Sequence, residues 1–201
     1  RQKETYKVPY ETHPADRKRQ CVFCGTSNTL DFLPLDRTGN RRFVPNTEPM
    51  TANTIFDMAS CSKSLGTAVC FMSLIEKGYV RLQDAVSTYI PGFTGWTSAD
   101  GKNKTTIRVE HLLTHTSGIP PYVTPNELRK QFGEKANADS LIKYIASCPR
   151  DFEPGTDFQY SCLNFITLQR ILESVTGMSL RDYAQKYVFQ PLGMKHTDYL
   201  P

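Results

Sequence analysis

From Leu65 to Ile75 the chain reads Leu-Gly-Thr-Ala-Val-Cys-Phe-Met-Ser-Leu-Ile, apolar almost all the way round a helix. That pattern predicts a buried central helix rather than a surface one. A second apolar stripe, Ile166, Leu168, Ile171, Leu172 and Val175, recurs at helical spacing and is closed by Gly177 in the C-cap position. Ser179 caps a further helix running from Leu180 to about Phe189, before Gln190-Pro191-Leu192-Gly193-Met194 turns the chain. Shorter helices are predicted over residues 126–132 and 138–146, and another opens within 106–113 and stops at Thr114-His115-Thr116-Ser117-Gly118-Ile119-Pro120. The polar stretch 97–105 reads as an inserted loop.

The beginning of the chain has a different texture. Residues 1 to about 28 are polar, are broken by Pro9 and His13-Pro14, and carry no helical period, which predicts an extended arm. Residues 29–33 alternate weakly, Asp36-Arg37-Thr38-Gly39-Asn40 is a turn signal, and residues 41–44 return, so a hairpin is expected there. No internal repeat is present.

Composition narrows the choices. A chain of 201 residues with 39% hydrophobic side chains can bury a real core. No apolar run reaches the length of a transmembrane helix, and the start lacks both Met and the apolar segment of a signal peptide, so a processed, trimmed or partial chain is expected. The net charge of +4 is mild and its basic residues are scattered, apart from Arg17-Lys18-Arg19 and Arg41-Arg42, so nucleic acid is not an expected partner. Six cysteines give no disulfide framework, because Cys61 and Cys70 lie in the apolar helix and Cys148 and Cys162 in unrelated segments. Cys21-x-x-Cys24 would need a second pair to hold zinc; two ordinary thiols or a local disulfide are expected, and no metal.

Candidate chemistry sits where the apolar helix begins. Ser60 and Lys63 are one turn apart and share a face. A serine hydroxyl is a poor nucleophile until a base takes its proton, and a desolvated lysine can be that base. At the first turn the backbone N–H of Ser60 is free of the helix and available to an oxyanion. Taken alone, the pair reads more simply as a helix N-cap and a solvated lysine.

Context shifts that balance. Phe56-x-x-Ala59-Ser60-x-x-Lys63, Leu112-Leu113-x-His115-x-Ser117-Gly118 and Pro154-Gly155-Thr156-x-Phe158-x-Tyr160-Ser161 follow one another in the order of the serine β-lactamase and penicillin-binding-protein superfamily. The chain most resembles its class C and esterase branch, over roughly residues 47–201. The resemblance implies an α/β (α+β) fold of the β-lactamase/transpeptidase type, here mostly its helical region, about 60–190, with an incomplete antiparallel sheet. It implies that residues 29–201 are a partial domain behind the arm, with Ser60 as nucleophile, Lys63 as base and Tyr160 as proton relay. His115 would support the loop bordering the site rather than take the serine's proton.

Two departures accompany the likeness. Cys162 stands where the family commonly carries Asn or Asp to bind substrate, and a thiol is a weak hydrogen-bonding substitute. Cys162 and Asn164 are therefore the substrate-binding candidates. The family's Lys-Thr-Gly or His-x-Gly strand does not occur before Pro201, so a longer polypeptide, a second chain completing the fold, or a degenerate member is expected. The implied function is acyl-enzyme hydrolysis of a small-molecule or peptide acyl substrate, such as a β-lactam, a D-alanyl peptide or a small ester, without cofactor. The competing expectation is a catalytically silent lactamase-like subunit of a larger assembly. Most such proteins work in the bacterial envelope or outside the cell, and mitochondrial relatives are the alternative location.

Overall fold

The computed structural model describes residues 57–199. The expected arm, the hairpin over 29–44 and the Cys21/Cys24 pair lie outside them. Described residues begin with a turn at 59–60, pass into a π-helical segment Lys63–Ala68, and continue as α1, Val69–Glu76. A 3₁₀ turn, Val86–Thr88, precedes a two-residue antiparallel pair, β1 (Trp96–Thr97) and β2 (Lys104–Thr105), with Trp96 opposite Thr105. The polar stretch expected to be loop thus folds back on itself. Four helices follow the short α2 (Val109–Leu113): α3 (Pro125–Phe132), α4 (Ala138–Ser147), α5 (Cys162–Thr176) and α6 (Leu180–Ala184), the last running into a π-helical turn, Gln185–Phe189.

Local chemistry accounts for the boundaries. Thr124 Oγ1 accepts the Glu127 N–H at 3.2 Å while Glu127 Oε2 accepts the Thr124 N–H at 2.8 Å, and Pro125 starts the helix without an amide hydrogen to waste. Asn137 and Ser140 make the same reciprocal cap on α4. Ser179 Oγ accepts the Asp182 N–H at 3.0 Å, as its position before Leu180 predicts. Gly177, at φ +66°, ends α5 in the left-handed conformation that glycine adopts without a Cβ penalty. At the far end of α4, Arg150 donates to the carbonyls of Ile145 and Thr94, both at 2.9 Å, and so ties the helix to the loop before β1.

The centre of the core is α5, not α1. Its Leu163, Asn164, Thr167, Leu168, Ile171 and Leu172 are all buried, and it packs against α2, α4, α6 and the π-helical segment. Each buried Leu or Ile contributes about 1.5–3 kcal/mol relative to exposure. The expectation of a buried α1 needs correcting. Cys70, Phe71 and Leu74 are sealed into the core, but Leu65 is 57% and Met72 67% exposed. An open apolar groove lined by Val69, Met72, Ile75, Tyr187, Val188 and Leu192 runs beside them. An apolar sequence records that a face is built to be covered; it does not say that these residues supply the cover.

No helix among the described residues is long and apolar enough to cross a membrane.

Candidate active site

Two separate pieces of chain meet at the candidate site. The first is the turn leading into the π-helical segment. Asp57 Oδ1 accepts the Ala59 N–H at 2.8 Å, and Ala59 takes φ +43°, a left-handed conformation that costs a non-glycine residue on the order of 1–3 kcal/mol. The sharp corner sets Ser60 on the surface at the head of the helix, where Lys63 N–H donates back to the Ser60 carbonyl at 3.1 Å. Lys63 Nζ then lies 3.1 Å from Ser60 Oγ. At that distance an ammonium donates to the hydroxyl and a neutral amine accepts from it.

The second piece is a double loop, residues 115–121 and 151–162, stitched together by hydrogen bonds. The Gly118 carbonyl accepts from the Asp151 N–H at 2.8 Å, Thr116 O accepts from Gly155 N–H at 2.8 Å, and His115 O accepts from Gln159 N–H at 2.9 Å. Ser161 Oγ donates to Pro120 O at 2.6 Å, and Cys162 N–H donates to Pro121 O at 2.9 Å. Gly118 has φ +71°, and a Cβ there would sit 2.3 Å from the Phe152 carbonyl oxygen, so the close approach of the two loops requires glycine.

His115 is the hub of this second piece. It adopts φ +58°, and its Nδ1 accepts the Ser161 N–H at 3.2 Å. Because Nδ1 is an acceptor, Asn164 Nδ2 must donate to it at 3.3 Å, which leaves Asn164 Oδ1 to accept from Ser117 Oγ at 2.7 Å. The assignment is self-consistent and requires a neutral imidazole. Burial holds the His115 pKa below its usual value, and the nearby Lys63 charge lowers it further. Its ring packs on Tyr160 at 4.6 Å and on Phe165 at 5.2 Å.

Tyr160 emerges from this loop 43% exposed, with its ring centroid 5.1 Å from Lys63 Nζ. Ser60, Lys63 and Tyr160 are therefore brought together. Cys162 is exposed as the first residue of α5. Asn164 corrects its expected place as a substrate-binding residue: it is fully buried, and its amide is committed to His115 and Ser117. Two residues along a helix turn a side chain by about 200°, so Asn164 faces away from the side that exposes Cys162. Its true register was present in the sequence, since Asn164, Thr167, Leu168 and Ile171 repeat at helical spacing on one buried face. Among the described residues no three His, Cys, Asp or Glu side chains cluster to hold a metal ion.

Fold and site together define a domain of the β-lactamase/transpeptidase type. A family model described as Beta-lactamase matches residues 35–201, and the chain belongs to that family. A second model, described as Virulence-associated protein E-like domain, matches residues 1–64. The chain is 32% identical over 154 residues to a Salmonella typhimurium protein named "Putative D-alanyl-D-alanine carboxypeptidase", covering 75% of this chain and 35% of that protein. It thus spans about a third of the length of the curated relatives it matches. Among solved structures it resembles the Beta-Lactamase/D-Alanine Carboxypeptidase from Pseudomonas syringae, with a TM-score of 0.59 and 26% identity over 74% of this chain and 38% of that one. It also resembles a D-stereospecific amidohydrolase from Streptomyces sp., with a TM-score of 0.51 and 28% identity over 65% of this chain and 42% of the other.

Proposed function

We propose that the chain carries the nucleophile and proton-transfer groups of a serine hydrolase that acts through an acyl-enzyme, with D-alanyl peptides as its substrate class. The observation that carries this reading is the 3.1 Å contact between Lys63 Nζ and Ser60 Oγ beside the Tyr160 ring. Ser60 Oγ attacks the substrate carbonyl as its proton passes to the Lys63 side chain, and the backbone N–H of Ser60 stabilises the oxyanion. Tyr160 relays a proton to the departing amine as the C–N bond breaks, leaving an ester on Ser60. Water, deprotonated by the same groups, releases the acid and restores the hydroxyl. The names of the Salmonella, Pseudomonas and Streptomyces relatives favour a D-configured amide over a simple ester.

A second reading keeps the fold and drops the chemistry, leaving a lactamase-like structural subunit. It is favoured by one feature: Cys162 takes the position of the family's amide or acid, and the burial of Asn164 offers no replacement. Incubation of the intact native protein with fluorescent penicillin separates the two. The hydrolase reading expects a covalent adduct on Ser60 that Ser60→Ala abolishes; a folded protein that takes no label from penicillin or from a D-alanyl thioester would support the silent subunit.

A further inference from the structure

We propose that Tyr199 is a positioning residue for the turn that carries Ser60 and Lys63, acting as a strut from α6 into the π-helical segment. The catalytic purpose of that strut rests on the hydrolase reading above, whereas the contact itself does not. Tyr199 Oη donates to the Ser62 carbonyl at 3.3 Å. Since the phenol has one proton, the Thr67 hydroxyl, also 3.3 Å away, donates to Tyr199 Oη. Thr67 is buried, so the pair satisfies a hydroxyl that would otherwise stand alone in the core.

The entry point is shaped for this ring. A Cβ on Gly66 would lie 2.0 Å from Tyr199 Oη and 2.9 Å from Cζ, so any other residue at 66 displaces the phenol. Gly66 and the wider π-helical turn together open the slot, and π-helical turns are frequent at functional sites.

The other end of the strut is fixed elsewhere. Asp198 Oδ1 accepts the Tyr199 N–H at 2.8 Å, and the Asp198 carboxylate takes Arg181 Nε at 3.0 Å on both oxygens. Gln185 Nε2 donates to Thr197 O at 2.8 Å. The ring lies 6.2 Å from that of Phe189. Tyr199 is therefore anchored to the α6 side before it reaches Ser62, between nucleophile and base in the chain.

That matters because the turn's own bonds are local. Cys61, Ser62 and Lys63 donate to carbonyls three residues back, and the Ser62 and Ser64 hydroxyls do the same. None of these fixes the turn relative to the core. The bond from Tyr199, reaching across 137 positions, does.

The test uses Tyr199→Phe in the intact native protein, which keeps the ring and deletes the hydroxyl. Two measurements are made: hydrogen exchange over residues 58–68, and acylation by fluorescent penicillin with the saturating rate and the half-saturating concentration determined separately. The expected result is exchange faster by roughly threefold to tenfold, the factor one hydrogen bond carries. Exchange in α5 should not change, and the saturating acylation rate should fall about tenfold with half-saturation within twofold. Gly66→Ala should reproduce both effects if it folds. Unchanged exchange over 58–68 would overturn the proposal, and so would faster exchange with an unchanged saturating rate. If exchange rises but the wild-type protein is never acylated, the hydrolase reading fails while the strut stands.

Discussion

The two pieces of chain that form the site are built in opposite ways. The loop that presents Tyr160 is tied down by buried groups: His115, Ser117, Ser161 and Asn164 satisfy one another, and Ser117, Ser161 and Asn164 are at most 1% exposed. The turn that presents Ser60 is exposed and folded by short-range bonds, with Ala59 in a strained conformation. One side is over-determined and the other is lightly held. Mutations in the buried network of the first side should therefore register as stability, and mutations of the exposed groups that either side presents as rate.

The largest expected effect lies on the exposed side. Lys63→Met removes the proposed base from a partly exposed position, so acylation should fall by about 10²–10⁴-fold, while urea denaturation shifts by no more than about 0.5 kcal/mol. A variant that unfolds instead would erase the contrast. Next comes the buried side. Asn164→Ala strips the acceptor from Ser117 Oγ and the donor from His115 Nδ1, and the loss should be about 2–3 kcal/mol in the same denaturation experiment. The acylation rate of the molecules that remain folded should change far less than in Lys63→Met.

Acidification sharpens the comparison without mutation. Burial lowers the His115 pKa below the ordinary value of 6.5, so the unfolded chain binds the proton more readily than the folded one. The stability from neutral His115 is present in full above pH 6.5 and is lost as pH falls from there towards the depressed folded value. His111 is shifted the same way, chiefly by burial, and adds to the slope. His115→Asn keeps an acceptor and tolerates a positive φ, so it should flatten the stability loss measured by thermal melting between pH 7 and pH 5. An unchanged slope would remove His115 as the hub. The smallest effect is expected at Cys162: replacing the exposed thiol by Asn supplies the amide the family commonly carries at this position, and acylation should rise a few-fold with no change in melting temperature.

Much of the helical part was legible in the chain. Thr124-Pro125, Asn137, Ser179 and Gly177 are local punctuation, and each ends or begins a helix through hydrogen bonds to its immediate neighbours. Ser60, Lys63 and Tyr160 could be picked out as candidates because their motifs lie in a fixed order. What was not legible depends on partners far away in sequence. Leu65 and Met72 look buried in an apolar run, but exposure is decided by which other residues cover that face. Asn164 was a substrate-binding candidate by its nearness to position 162, but a side chain's direction depends on its angle around the helix, and Asn164 points into the core. Tyr199 carried no local signal, since its partner carbonyl is at Ser62 and its slot is an absence, the missing Cβ of Gly66.

The central claim is that Ser60, Lys63 and Tyr160 form one acyl-transfer site, and the most direct test is the mass of the protein after exposure to an acyl donor. Intact native protein incubated with penicillin should gain one adduct, peptide mapping should place it on Ser60, and its rate of formation should fall in both Lys63→Met and Tyr160→Phe. An adduct that persists in Ser60→Ala, or a rate indifferent to Tyr160, would contradict it.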